Sequence, residues 1–134
     1  MSRRSAREAA YKLTFEYLFY NKGNDTTLEL LTLDSSLSDD DKDYINRVYE
    51  GIQRDYDKLY ALISRHSGNF TADRIYKPDL AAMILSAYEL VNEPDISAAV
   101  SISSAIELVK KYSSEKSNTF VNGILGAINK EVRG

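Results

Sequence analysis

The chain has 134 residues, 43% of them hydrophobic, which is enough for one domain with a real core and requires no second. It contains no cysteine, which excludes disulfides, thiolate catalysis and cysteine-ligated metals and is consistent with a reducing compartment. The formal net charge of −3 taken alone argues against a nucleic-acid ligand, and no apolar run suits a signal peptide or a membrane span, so a soluble cytoplasmic protein is expected.

The first twelve residues depart from that acidity, with Arg3, Arg4, Arg7 and Lys12 set against Glu8 alone. Ser5-Ala-Arg-Glu8 matches a capping box, in which hydroxyl and carboxylate satisfy opposite orphan amides, and predicts a helix beginning near Ala6. Arg3 and Arg4 would then form a mobile arm. Arg7 would fall in the first turn, where a cation opposes the macrodipole, a placement that hints at a ligand. Ala6, Ala10, Leu13 and Tyr17 make one face of this helix, and Tyr11, Phe15 and Phe19 recur on nearly the opposite side. Two apolar faces imply a helix clasped between others or one that offers aromatics to a partner.

Asn21 to Asn24 break the pattern, and Leu28, Leu30 and Leu31 predict a short second helix. Ser38 caps the next, with Asp39, Asp40 and Asp41 in its first turn, where carboxylates suit the positive helix end. A metal site is not expected there, because adjacent helical aspartates diverge and no glycine-containing calcium loop surrounds them. Ile45, Val48, Ile52, Tyr56, Leu59 and Ile63 carry one stripe along this segment until Ser67-Gly68, and Gly51 within it suggests a close helix crossing. His66, the only histidine, falls in the C-terminal turn, where it reads as a cap.

After Phe70 a short turn holds Arg74 and Ile75, and Pro78-Asp79 opens a helix lined by Leu80, Met83, Ile84, Ala87, Tyr88 and Val91 until Pro94. Ser97 or Asp95 starts the following one, with Ile102, Ala105, Ile106, Val109 and Tyr112 expected inside. The last helix spans Ser117 to Lys130 and reads as the stretch that organises the fold, its stripe being Phe120, Val121, Ile124, Leu125 and Ile128. Asn122 and Gly123 interrupt it, and mid-helix glycine costs about 1 kcal/mol relative to alanine. Close packing is therefore expected at Gly123 and Gly126, with Asn122 bonding buried backbone. Phe120, projecting about 200° away from Asn122, is expected to be partly exposed near Lys116.

These segments predict an all-α fold, a compact bundle of six or seven helices forming a single domain over residues 1–134. From Lys110 onward five cations (Lys110, Lys111, Lys116, Lys130 and Arg133) again outnumber two carboxylates, so both ends are basic. There is no Ser-His-Asp option beyond one helix-end histidine, no glycine-rich phosphate loop and no His/Cys ligand set, so neither an enzyme nor a metal or cofactor site is expected. A binding module remains, with RNA binding, protein docking and plain scaffold all open.

Arg3-Arg-Ser-Ala-Arg-Glu8, Tyr88-Glu-Leu90, Ala105-Ile-Glu-Leu108 with Lys111-Tyr112, and Phe120-Val-Asn-Gly-Ile-Leu125 resemble the NusB family in order and spacing over essentially the whole chain. That resemblance implies two packed helical subdomains and binding to the single-stranded boxA element of nascent transcripts. It also implies partnership with NusE, a small-subunit ribosomal protein, in RNA polymerase complexes that suppress termination, notably on ribosomal RNA operons. By the same resemblance the RNA-binding residues are Arg3, Arg4, Arg7, Phe15 and Phe120, with Lys116 beside them, and the partner-binding position is Asp79. The chain departs from the family pattern at Ser5, Leu80, Ile84, Ser103, Ser104 and Lys116, which bears on polar packing and partner details. The alternative reading is a protein-only helical adaptor, or a stand-alone relative of the NusB-like domain of RNA cytosine methyltransferases, for whose methyl-transfer domain 134 residues leave no room.

Overall fold

The computed structural model describes residues 2–68 and 72–134, so Phe70 lies outside the described residues. Its six helices are α1 (Ser2–Tyr20), α2 (Asp25–Thr32), α3 (Asp39–Arg65), α4 (Lys77–Asn92), α5 (Ala98–Tyr112) and α6 (Asn118–Arg133), with short 3-10 turns at Ala72–Arg74 and Glu115–Ser117. Among the described residues there is no strand, and no helix is long and apolar enough to cross a membrane.

Local chemistry explains most helix starts. The Asn24 side chain accepts from Thr27 N–H at 3.1 Å, Ser38 Oγ from Asp41 N–H at 3.1 Å, and Ser97 Oγ from Val100 N–H at 3.1 Å. Pro78 sits in the first turn of α4, where its missing N–H leaves no bond unmade. Between α1 and α2 the chain turns through Asn21 at φ 54°, a left-handed conformation asparagine tolerates.

The organising element is α4, not α6. Every residue from Asp79 to Leu90 is buried, and α1, α3, α5 and α6 all pack against this helix. Spacing identified one stripe on it, but Ala81, Ala82, Leu85 and Leu90 close the remaining sides, and a helix apolar all round is a buried one. Val91, expected inside, is exposed beyond the end of that buried run, whereas Leu80 and Ile84 are fully buried. The expected close contact at Gly51 is present: a Cβ there would lie 2.3 Å from the buried Tyr88 ring of α4, which occupies the space a side chain would need. One continuous core runs from Ala6 to Ile128 through both the N-terminal and C-terminal helices.

Other expectations are corrected as well. Helix α1 begins at Ser2, not near Ala6, so Arg3 and Arg4 are helical and not a mobile arm. The local box is overridden by ion pairs from Arg3 to Asp40 and Asp41 at the start of α3, which anchor the first turn, while Glu8 reaches across to α5. On α5, Ile102, Ile106 and Tyr112 are half-buried, and Ser101 and Leu108 join Ala105 and Val109 inside. His66 occupies the C-cap of α3 through its backbone N–H, as expected, and its side chain also bonds Glu131 at 2.7 Å. Glu131 is held down to about 2 by Arg65 first and His66 second.

Helix α6 is not packed as its sequence suggests. Asn122, Gly123 and Gly126 are exposed, and a Cβ added at either glycine would meet nothing within 4 Å. Asn122 therefore does not bond buried backbone, and nothing in the packing explains these residues. Gly123→Ala and Gly126→Ala should each stabilise the domain by about 0.5–1 kcal/mol, because alanine removes backbone entropy from the unfolded chain without meeting a neighbour. Urea unfolding checks this, and a loss of stability at either position would mean that the face is covered.

Candidate nucleic-acid interface

Arg3, Arg4 and Arg7 project from α1 into one open cleft of about 690 Å³, whose other wall is α5 with Ser103, Ser104, Glu107, Leu108, Lys110 and Lys111. The three arginines stand in different electrostatic settings. Arg7 is only 9% exposed and its Nε donates to Glu89 Oε2 at 3.1 Å; the Tyr44 hydroxyl donates to the same oxygen. Burial first, and then the Glu89 charge, push the Tyr44 phenol up, so it stays a neutral donor. Arg7 thus forms the floor of the cleft with its charge neutralised from below.

Arg3 donates to Asp41 Oδ1 at 3.0 Å and Asp40 Oδ2 at 2.7 Å, and its guanidinium lies 4.5 Å from the Tyr44 ring centroid in cation–π contact. Arg4 bridges to α5, with Nη2 3.2 Å from Glu107 Oε2. Glu8 completes the junction by accepting from Lys111 Nζ at 2.5 Å and from the Tyr112 hydroxyl. Those bonds hold the Glu8 carboxyl below its usual range, and Glu8 in turn raises Lys111.

Phe15, Lys116, Phe120 and Asp79 do not line this cleft. Beyond the Glu8 junction, Tyr112 stacks on Tyr11 at 5.1 Å, Tyr11 on Phe15 at 6.4 Å, and Phe15 meets Phe19 edge-on at 5.0 Å, a ladder that leads to exposed Phe19 and Tyr20. The Tyr11 hydroxyl donates to Pro78 O at 3.0 Å, which sets the ladder against the start of α4. There Asp79, 4% exposed, accepts from Ser117 Oγ at 2.7 Å through Oδ2, while its Oδ1 has no hydrogen-bond partner among the described residues. Lys116 is exposed in the turn before α6, and Phe120 is half-buried against the core, as expected. The site residues therefore fall into a basic cleft and an aromatic side, joined by Glu8, Lys111 and Tyr112.

Sequence reasoning missed the α5 wall. Lys110 was legible only as part of a basic end, and Glu107 and Lys111 only as parts of a motif of family resemblance, none of them as a wall facing the arginines. The sole local signal was Lys-Lys in the last turn of α5.

An all-helical domain wrapped around one buried helix, with arginines and lysines facing each other across an open two-helix cleft, has the build of a helical binding domain. The NusB family's sequence model matches residues 4–130, and the chain belongs to that family. The transcription antitermination protein NusB of Clostridium botulinum (strain Loch Maree / Type A3) is 37% identical over 138 residues, covering 94% of this chain and 98% of that protein. That of Ruminiclostridium cellulolyticum is 32% identical, covering 97% and 90%. Among solved structures, T. maritima NusB superposes with a TM-score of 0.86 at 33% identity, over 98% of this chain and 92% of that one. A crystal structure of antitermination factors NusB and NusE in complex with dsRNA matches with a TM-score of 0.85 over 97% of each chain, and at 23% identity that likeness concerns the fold.

Proposed function

We propose that this protein is a cytoplasmic, non-enzymatic transcription antitermination factor, a single RNA-binding domain that holds boxA RNA together with a NusE-type ribosomal protein in an RNA polymerase complex. The observation that carries this reading is the convergence of Arg3, Arg4 and Arg7 with Lys110 and Lys111 in one cleft of an otherwise acidic protein. In this assignment Arg3 and Arg4 meet phosphates, Arg7 shapes the floor, and Phe15, Phe120 and Lys116 extend the surface for unpaired bases, a combination suited to single strands. Asp79 is buried at the start of α4 and bonded to Ser117, so in this assignment it serves partner binding by holding the turn before α6 in place, without facing the partner itself.

Titration of boxA RNA by fluorescence anisotropy, with and without NusE, tests the assignment. With about three to five cations engaged, log affinity should fall against log salt with a slope of roughly −2 to −3.5. NusE should tighten binding, because a small basic footprint on an acidic protein is a weak lone ligand and a partner extends it. A salt-independent affinity, or a ternary complex no tighter than the binary one, would overturn the reading.

A further inference from the structure

We propose that Glu107 is a built-in stand-in for phosphate: it holds Arg4 in the free protein, and Arg4 exchanges this carboxylate for an RNA phosphate when a strand enters the α1–α5 cleft. The inference rests on the RNA-binding reading of that cleft. Its basis is the unequal way in which the cations are held. Arg7 is locked to buried Glu89, and Arg3 is tied by two carboxylates, one of them almost wholly buried, while also lying on Tyr44. Lys111 shares Glu8 with Tyr112, so releasing it would also break a hydrogen bond between α1 and α5.

Arg4 differs from all of these. Its side chain is 74% exposed, that of Glu107 is 58% exposed, and a single contact at 3.2 Å joins them. Exposed single-contact pairs contribute little and are readily exchanged. Lys110, on the same wall, is exposed and makes no ion pair among the described residues, so it can approach a phosphate at the moment Arg4 changes partner.

Glu107 opposes binding in two ways. Its carboxylate must give up Arg4, and it then stands as a like charge beside the incoming phosphate. Anions that engage only Arg4 gain little from that exchange, whereas a strand that also reaches Lys110 and the aromatic side recovers it. Glu107 therefore lowers affinity for any anion that engages Arg4, and a strand offsets that loss only by its further contacts.

The test uses the full chain and a fluorescein-labelled single-stranded boxA oligonucleotide, read by anisotropy. Glu107→Gln removes the charge at an exposed position and should bind about two- to fivefold more tightly than the parent chain. In an Arg4→Ala background the same substitution should change affinity by less than about 1.5-fold, because the exchange has lost its cation. A merely structural role for Glu107 would give weaker binding in both backgrounds. Equal binding by Glu107→Gln and the parent, or an equal gain with and without Arg4, would overturn the exchange, the second result assigning the effect to the general field. If the parent binds and Arg4→Ala weakens it while Glu107→Gln changes nothing, the exchange fails and the RNA-binding reading stands. If the parent does not bind the oligonucleotide, both fail.

Discussion

Glu89→Ala is expected to lower the unfolding free energy by about 3–5 kcal/mol, a large share of the roughly 5–15 kcal/mol available to a domain of this kind. Glu89 is 1% exposed, and its Oε2 accepts from both Arg7 and Tyr44, which tie α1 and α3 to the central helix α4. The favourable and desolvation terms of such a buried pair nearly cancel when it is intact. Removing only the carboxylate leaves the Arg7 guanidinium and the Tyr44 hydroxyl without their partner on the buried side of the cleft floor, and that asymmetry sets the size of the loss. Glu89→Gln, which keeps an acceptor and removes the charge, should cost less, about 1–3 kcal/mol. Arg4→Ala, breaking the exposed pair with Glu107, should stay within about 0.5 kcal/mol. Urea unfolding of the three variants orders them. A cost below about 1 kcal/mol for Glu89→Ala would mean that Arg7 reaches solvent and does not floor the cleft as described.

That network also marks where sequence reading stops. Ser38 and Ser97 were legible because a cap acts on a backbone N–H within three residues, and Pro78 because its fixed φ and missing N–H suit a first helical turn, so these signals are local. Gly51 was legible as a poor helix former inside a strong stripe, and the structure supplies the Tyr88 ring that explains it. The same rule applied to Gly123 and Gly126 pointed to close packing, whereas both face open space. Propensity reports what a residue costs its own backbone and says nothing of what stands opposite. Arg7 and Glu89 are 82 positions apart, and Arg4 and Glu107 are 103 apart, so no periodicity couples them. The N-terminal arginines stood out by charge and by the placement of Arg7, family resemblance gave them an RNA-binding role, and their burial and pairing came only from the fold. The start of α1 was misplaced for the same reason: the residues that hold it, Asp40 and Asp41, belong to another helix.

Arg133→Ala is expected to cost about 2–3 kcal/mol and to leave RNA affinity within about twofold, although sequence alone groups Arg133 with the basic C-terminal end. Its Nε donates to Leu90 O at 2.9 Å, its Nη1 to Ile96 O at 2.8 Å, and its Nη2 to Glu89 O at 3.2 Å and Glu93 O at 3.0 Å. Glu89 O and Glu93 O also accept from the Glu93 and Ile96 N–H groups, and one guanidinium from the last turn of α6 gathers both with Leu90 O and a carbonyl of the following turn, tying the end of α4 together. Because α4 is the helix the others pack around, a loosened end there should be felt globally, not as local fraying. Arg133→Lys should recover less than half of the loss, since an ammonium is a compact donor and lacks the planar fork that spans several carbonyls. Arg133 does not line the cleft, so its charge reaches bound RNA only through screened solvent. Urea unfolding and anisotropy on the same protein preparations separate the two roles: a variant of unchanged stability that has lost RNA affinity would return Arg133 to the ligand surface and leave the end of α4 without its clamp.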